Sequence, residues 1–201
     1  MKQKSLIFHF AGRPVYIHIS ILAAFAYFIY LNGPIAGVIA TFAFILMMLA
    51  HELGHAYYVT RYRHELVEIN VYPLHGECLY DIDERWLPET LIIAGGILAQ
   101  LALLLVWLSI IGALNMLNLW KLENLLEPIT DVFIRINIIT MILNLLPIEG
   151  LDGKILWVRL LGYFQSRNFF KPSSNKQKIK PGKQSAEKVV DLAIKKAQRK
   201  K

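Results

Sequence analysis

LMMLAHELGHAYYV, residues 46–59, decides how the rest of the chain is read. Two histidines and a glutamate interrupt a run apolar enough to lie in lipid. Ionisable side chains at that depth are costly and mark functional sites. In HELGH, His51 and His55 stand at i and i+4, about 400° apart around a helix, so both project from one face. Two imidazoles at that spacing can ligate one metal ion, and Glu52 beside the first is then placed to act on water at that ion. Arg61 follows His51 by ten residues, roughly 15 Å of helix, which places the site inside the bilayer and toward the cytoplasm.

Composition agrees with a membrane setting. The 201 residues are 55% hydrophobic and 18% charged, below the roughly 25% charge of a soluble domain. A single cysteine, Cys78, excludes an internal disulfide and a cysteine-only metal site. The net charge of +7 is unevenly placed: residues 167–201 carry twelve Lys/Arg and two acids, and residues 1–166 carry ten and thirteen. We therefore divide the chain into a membrane-embedded core, 1–166, and a basic cytoplasmic tail, 167–201. Such a tail fixes topology and is drawn to anionic lipid, so the bilayer and not nucleic acid is its expected partner. Near its end, Ala186, Val189, Val190, Ala193, Ile194 and Ala197 form one apolar helical stripe.

Four apolar runs predict an all-α polytopic membrane protein with about four transmembrane helices. They are Val15–Leu31, Ile35 to about Tyr62, Leu91 to about Leu119, and Ile129–Leu146. Asn32-Gly33-Pro34 turns the chain between the first two. The fourth is broken at Pro147-Ile148-Glu149-Gly150 and resumes as LDGKILWVRLLGYF; broken helices in membranes line protein cavities or sites. Residues 64–89 are polar and acidic, with alternating apolar positions at Val67, Ile69 and Val71. Lys2, Lys4 and Arg13 precede the first span, Arg61 and Arg63 follow the second, and the tail follows the fourth. Only Lys121 falls in the opposite loops, so both termini are expected in the cytoplasm, with the protein integral to a bacterial cytoplasmic (inner) membrane.

Two histidines need a third protein ligand. NLLPIEGLDG, residues 144–153, offers Glu149 and Asp152 at the break in the fourth run, at a depth that HELGH can share. Asp152 read alone is equally a helix N-cap.

HELGH in an apolar helix, followed about ninety residues later by NLLPIEGLDG, resembles the site-2 family of intramembrane metalloproteases, closest to the sporulation factor IV FB type. The shared pattern is Asn144, Pro147, Leu151, Asp152 and Gly153. The resemblance implies one zinc ion per chain held by His51, His55 and Asp152, with Glu52 as catalytic base and Asn144 arranging the site or steadying the transition state. Glu149 falls on a variable position. VYIHISIL, NVYPLHGECLYD and IIAGGILAQ echo other family segments, extending the likeness over residues 14–164; the second is similar to the family's short β-hairpin or re-entrant segment beside the active site. In the last, Gly96 stands for the family's Pro and Ala99 for its Asn, with Gln100 next door as a partial substitute. Lys154 stands where a second glycine is usual.

The function so implied is zinc-dependent intramembrane endoproteolysis of membrane-spanning protein substrates, with a regulatory membrane protein as a possible partner. Residues 67–80 are a candidate for strand addition by an unwound substrate. The alternative is a catalytically silent, metal-stabilised membrane scaffold that binds partner proteins. A small transporter with an ion site at a broken helix is a weaker rival, because no repeat is evident. No serine lies in a Gly-x-Ser-x-Gly context and no Gly-x-Gly-Asp occurs, which sets aside other intramembrane protease classes. His75 reads as structural, His9, His18 and His64 as interfacial or structural, and Asp131 with Arg135 as an i, i+4 pair or snorkelling side chains.

Overall fold

The computed structural model describes residues 4–73, 76–81 and 86–167, so His75 and the apolar stripe of the tail lie outside the described residues. The chain divides into two units, Met1–Phe164 and Gln165–Lys201. In the first unit, strands β1 (Lys4–Phe10) and β2 (Arg13–His18) lead into helix α1 (Ile21–Asn32) and helix α2 (Pro34–Arg61). Strands β3 (Leu66–Val71) and β4 (Gly76–Tyr80) follow, then helix α3 (Trp86–Met116) and the short α4 (Trp120–Leu125). A third long helical stretch comprises α5 (Glu127–Thr130), a π-helical segment (Asp131–Ile136) and α6 (Asn137–Leu145). After a turn, α7 runs from Asp152 to Arg167.

Among the described residues, three helices are long and apolar enough to cross a membrane: Pro34–Arg61, Pro88–Met116 and Glu127–Leu145. The expected count of four is corrected at the first run. Val15 to His18 are strand, and α1 keeps only 12 residues, about 18 Å against a hydrocarbon core of about 30 Å. The physical reason is local and tertiary together. Val-Tyr-Ile-His is rich in β-branched and aromatic side chains, and β2 finds a parallel partner in β3 through Val15↔Ile69 and Ile17↔Val71. The α1–α2 hairpin serves as the crossover that parallel pairing requires.

The sheet has the order β1-β2-β3-β4, with antiparallel outer pairs. The expected hairpin is thus present as β3 and β4, but within a four-stranded sheet; the fold is mostly helical and not all-α. Val15 and Ile69 pack with Ala56, Val59, Leu66 and Ile92 in one buried cluster. The sheet therefore lies against the same end of α2 as Arg61, where the short α1 leaves space.

Gly33 turns α1 into α2 at φ +77°, ψ 177°, a conformation open essentially to glycine. Pro34 then opens α2 at a position where its missing N–H costs nothing. Phe28 of α1 meets Phe44 of α2 with ring centroids 5.5 Å apart, inside a second cluster that includes Met47, Val132 and Phe133. α2 and α3 cross closely at Gly54 and Gly95: a Cβ on Gly95 would lie 2.5 Å from the Gly54 carbonyl oxygen. Small residues at such crossings let backbones approach. The π-helical segment carries the expected Arg135–Asp131 pair, Nε to Oδ1 3.0 Å. The break after α6 falls where Pro147 predicts it. Leu146 is extended and Gly150 has φ +89°.

Candidate metal centre

His51, Glu52 and His55 lie in the second half of α2, 4%, 2% and 6% exposed, and their ligand atoms are close enough together to hold one metal ion. The i, i+4 spacing sets the two imidazoles edge to face, ring centroids 4.7 Å apart, with Nε2 atoms 3.1 Å apart. Asp152, the first residue of α7, brings Oδ2 to 3.0 Å from His51 Nε2 and 3.2 Å from His55 Nε2. Glu52 Oε1 stays 4.0 Å from His51 Nε2. Asp152 is thus nearer the histidine pair than Glu52 is, although 101 residues separate it from His51.

The outward nitrogens settle what the inward ones can do. His55 Nδ1 lies 2.7 Å from the Ile92 carbonyl, which only accepts, so His55 carries its proton on Nδ1. His51 Nδ1 lies 3.0 Å from Gln100 Oε1. The Gln100 amide is oriented because its Nε2 donates to Thr140 Oγ1 at 3.0 Å, and Thr140 donates onward to the Asn137 carbonyl at 2.9 Å. Asn137 Nδ2 returns to the Gln100 carbonyl at 3.0 Å. With Nδ1 carrying the proton, each neutral ring turns its Nε2 lone pair toward the other ring and toward a carboxylate oxygen, an arrangement that repels itself unless a proton or a metal ion lies among the three. Edges of 3.0–3.2 Å are close to the roughly 3.3 Å edge of a tetrahedron with 2.0–2.1 Å metal bonds. The residues present fit a zinc-type ion.

Two glycines leave the room this centre needs. A Cβ on Gly96 of α3 would lie 2.5 Å from His51 Cε1 and His55 Nε2. A Cβ on Gly76, the first residue of β4, would run into the Glu52 carboxylate. Glu52 therefore sits between the histidine pair and an edge strand. Further along β4, burial raises the Cys78 thiol above its usual range, and the nearby Glu52 and Asp152 carboxylates add to this, so Cys78 stays a protonated thiol.

Asn144 is half-buried in α6. Among the described residues its side chain makes no hydrogen bond to His51, Glu52, His55 or Asp152; its carbonyl closes on Gly153 across the turn. Glu149 is exposed and paired with Lys154, away from the histidines. His18 bonds Ser20 Oγ at 2.8 Å and lies over Tyr72, a structural role. Thr140 and Asn137 were not singled out by sequence reasoning. Their signal was two polar residues three apart in an apolar run, and Asn137 proves fully buried. Gln100→Leu should weaken metal binding about tenfold while leaving helicity unchanged, because it removes the acceptor that orients His51. Isothermal titration of the metal-free protein measures this, and an unchanged affinity would show that Gln100 is packing alone.

No protein-family model and no curated protein sequence matches the chain. Its fold is similar to that of the solved site-2 protease from Methanocaldococcus jannaschii, with a TM-score of 0.59 over 83% of this chain and 74% of that one. Identity is 19%, so the likeness is one of fold.

Proposed function

We propose that the chain is a zinc-dependent intramembrane endopeptidase of the site-2 type, of the sporulation factor IV FB branch by its Asn144–Gly153 motif. One observation carries the reading: the Nε2 atoms of two histidines on an apolar helix and the Asp152 carboxylate converge beside a buried Glu52. His51, His55 and Asp152 would hold the ion. Bound zinc supplies a Lewis acid that polarises a carbonyl and acidifies water.

Glu52 accepts the proton of the attacking water and passes it to the leaving amide nitrogen, the transfer a buried carboxylate beside the ion can make. Gln100 and the Ile92 carbonyl hold the imidazoles in one tautomer throughout. Asn144, at the end of α6, would help arrange the site or steady the transition state, as the resemblance implies. A transmembrane substrate must unwind before its carbonyls are free, and β4 offers an edge whose first residue abuts Glu52. An extended substrate added to that edge would lie across the base. Arg61 and Arg63 at the sheet end of α2 support a cytoplasmic placement of that end, in a bacterial inner membrane.

Purified full-length protein should contain about one zinc per chain, lost on the double substitution His51→Ala/His55→Ala. Elemental analysis after gel filtration in detergent decides this; zinc retained by the double variant would refute the site.

A further inference from the structure

Asp152 is the one group of the candidate centre that no long apolar helix carries. It opens α7, and the backbone before it is a turn containing Gly150 and Pro147. Several contacts of α7 reach back only to the residues just before it. Trp157 Nε1 donates to the Leu145 carbonyl at 2.8 Å, and Lys154 pairs with Glu149. These links move with the turn and cannot fix where α7 stands relative to α2 and α3. Side-chain links among the described residues do cross to those helices, from Asp152 to His51 and His55 and from Arg159 to Glu89.

Glu89 belongs to the first turn of α3 and is 3% exposed. A carboxylate so buried requires a partner, and the guanidinium of Arg159 supplies it. The spacing makes this pair a ruler. Asp152 and Arg159 are seven residues apart, two helical turns along one face of α7, about 10.5 Å. Glu89 and Gly96 are likewise seven apart on α3, and Gly96 lies directly against His51 and His55. The two links are thus spaced alike on the two helices: two turns from Asp152 to Arg159 on α7, and two turns from Gly96, beside the histidines, to Glu89 on α3. A slip of one turn would carry Asp152 about 5.4 Å away from the imidazoles.

Building on the zinc reading, we propose that the Glu89–Arg159 ion pair is the positioning device that sets the register of α7 and holds Asp152 at the two histidines. Neither residue touches the reacting atoms. They act through Asp152, and their effect is on metal affinity.

The test is Co²⁺ titration of the metal-free full-length protein in detergent, read by its visible absorption, with the substitutions Glu89→Gln, Arg159→Met, Arg159→Lys and Asp152→Asn. Glu89→Gln and Arg159→Met should each weaken Co²⁺ binding by about 10–100-fold, and Arg159→Lys should recover most of it. In an Asp152→Asn background, Glu89→Gln should add nothing, since there is no carboxylate left to position. Unchanged affinity in both Glu89→Gln and Arg159→Met overturns the proposal. So does an equal further loss in the Asp152→Asn background, which marks general loosening. If Asp152→Asn alone leaves affinity unchanged, Asp152 is no ligand and the zinc reading fails first, a result separable from failure of the ruler.

Discussion

Glu52→Gln should keep its metal and lose its cleavage activity. The side chain is 2% exposed, its Oε1 lies 4.0 Å from His51 Nε2, and Asp152 holds the nearer place at 3.0 Å. The amide has the same shape as the carboxylate, so the fit against Gly76 and the histidine pair is preserved. What disappears is the ability to accept a proton. General acid–base catalysis contributes about 10²–10⁴-fold, so turnover of a membrane-spanning substrate should fall by at least that range while zinc content stays level. Cleavage at the wild-type rate would rule out Glu52 as the base. The same pair of measurements separates an enzyme from a silent scaffold, because a scaffold would be indifferent to the substitution. Membrane proteomes of cells making active protein and Glu52→Gln, compared for what accumulates uncut, would identify the substrate.

Gly96→Val should abolish metal binding without unfolding the helices. The position is in the middle of α3, where valine is tolerated by the backbone. Its Cβ would stand 2.5 Å from His51 Cε1 and His55 Nε2, in the space the ion needs. Neither ring can swing aside easily, since His51 is tied to Gln100 and His55 to the Ile92 carbonyl. We expect affinity to fall more than 100-fold (about 2.7 kcal/mol), with cleavage lost in step. Gly96→Ala should show the same effect in weaker form. Zinc content and helicity measured on one preparation check this; full zinc occupancy in Gly96→Val would mean that the ion sits elsewhere.

How much of this was legible in the sequence depends on the range of the interaction. The i, i+4 geometry of His51 and His55 is a property of any helix, so HELGH could be read directly. Pro147 and Gly150 are backbone signals, and the break after Leu146 appears where they stand. Hydropathy identified α2, α3 and the stretch Glu127–Leu145, because length and apolarity are summed over one segment. It failed at Val15–His18, which stand at the head of an apolar run but pair with β3, and no local sum contains the partner strand.

The sequence by itself determined a helix with two histidines and a glutamate on it, and a broken segment with an aspartate at its start. It also carried the resemblance that joins them. Only the tertiary structure decided the distances: Asp152 nearer than Glu52 to both imidazoles, Gln100 on His51 with Thr140 and Asn137 behind it, Gly96 and Gly76 clearing space, and Arg159 on Glu89. Local geometry follows from neighbours along the chain. Coordination, tautomer and helix register depend on groups that meet only when separate segments pack.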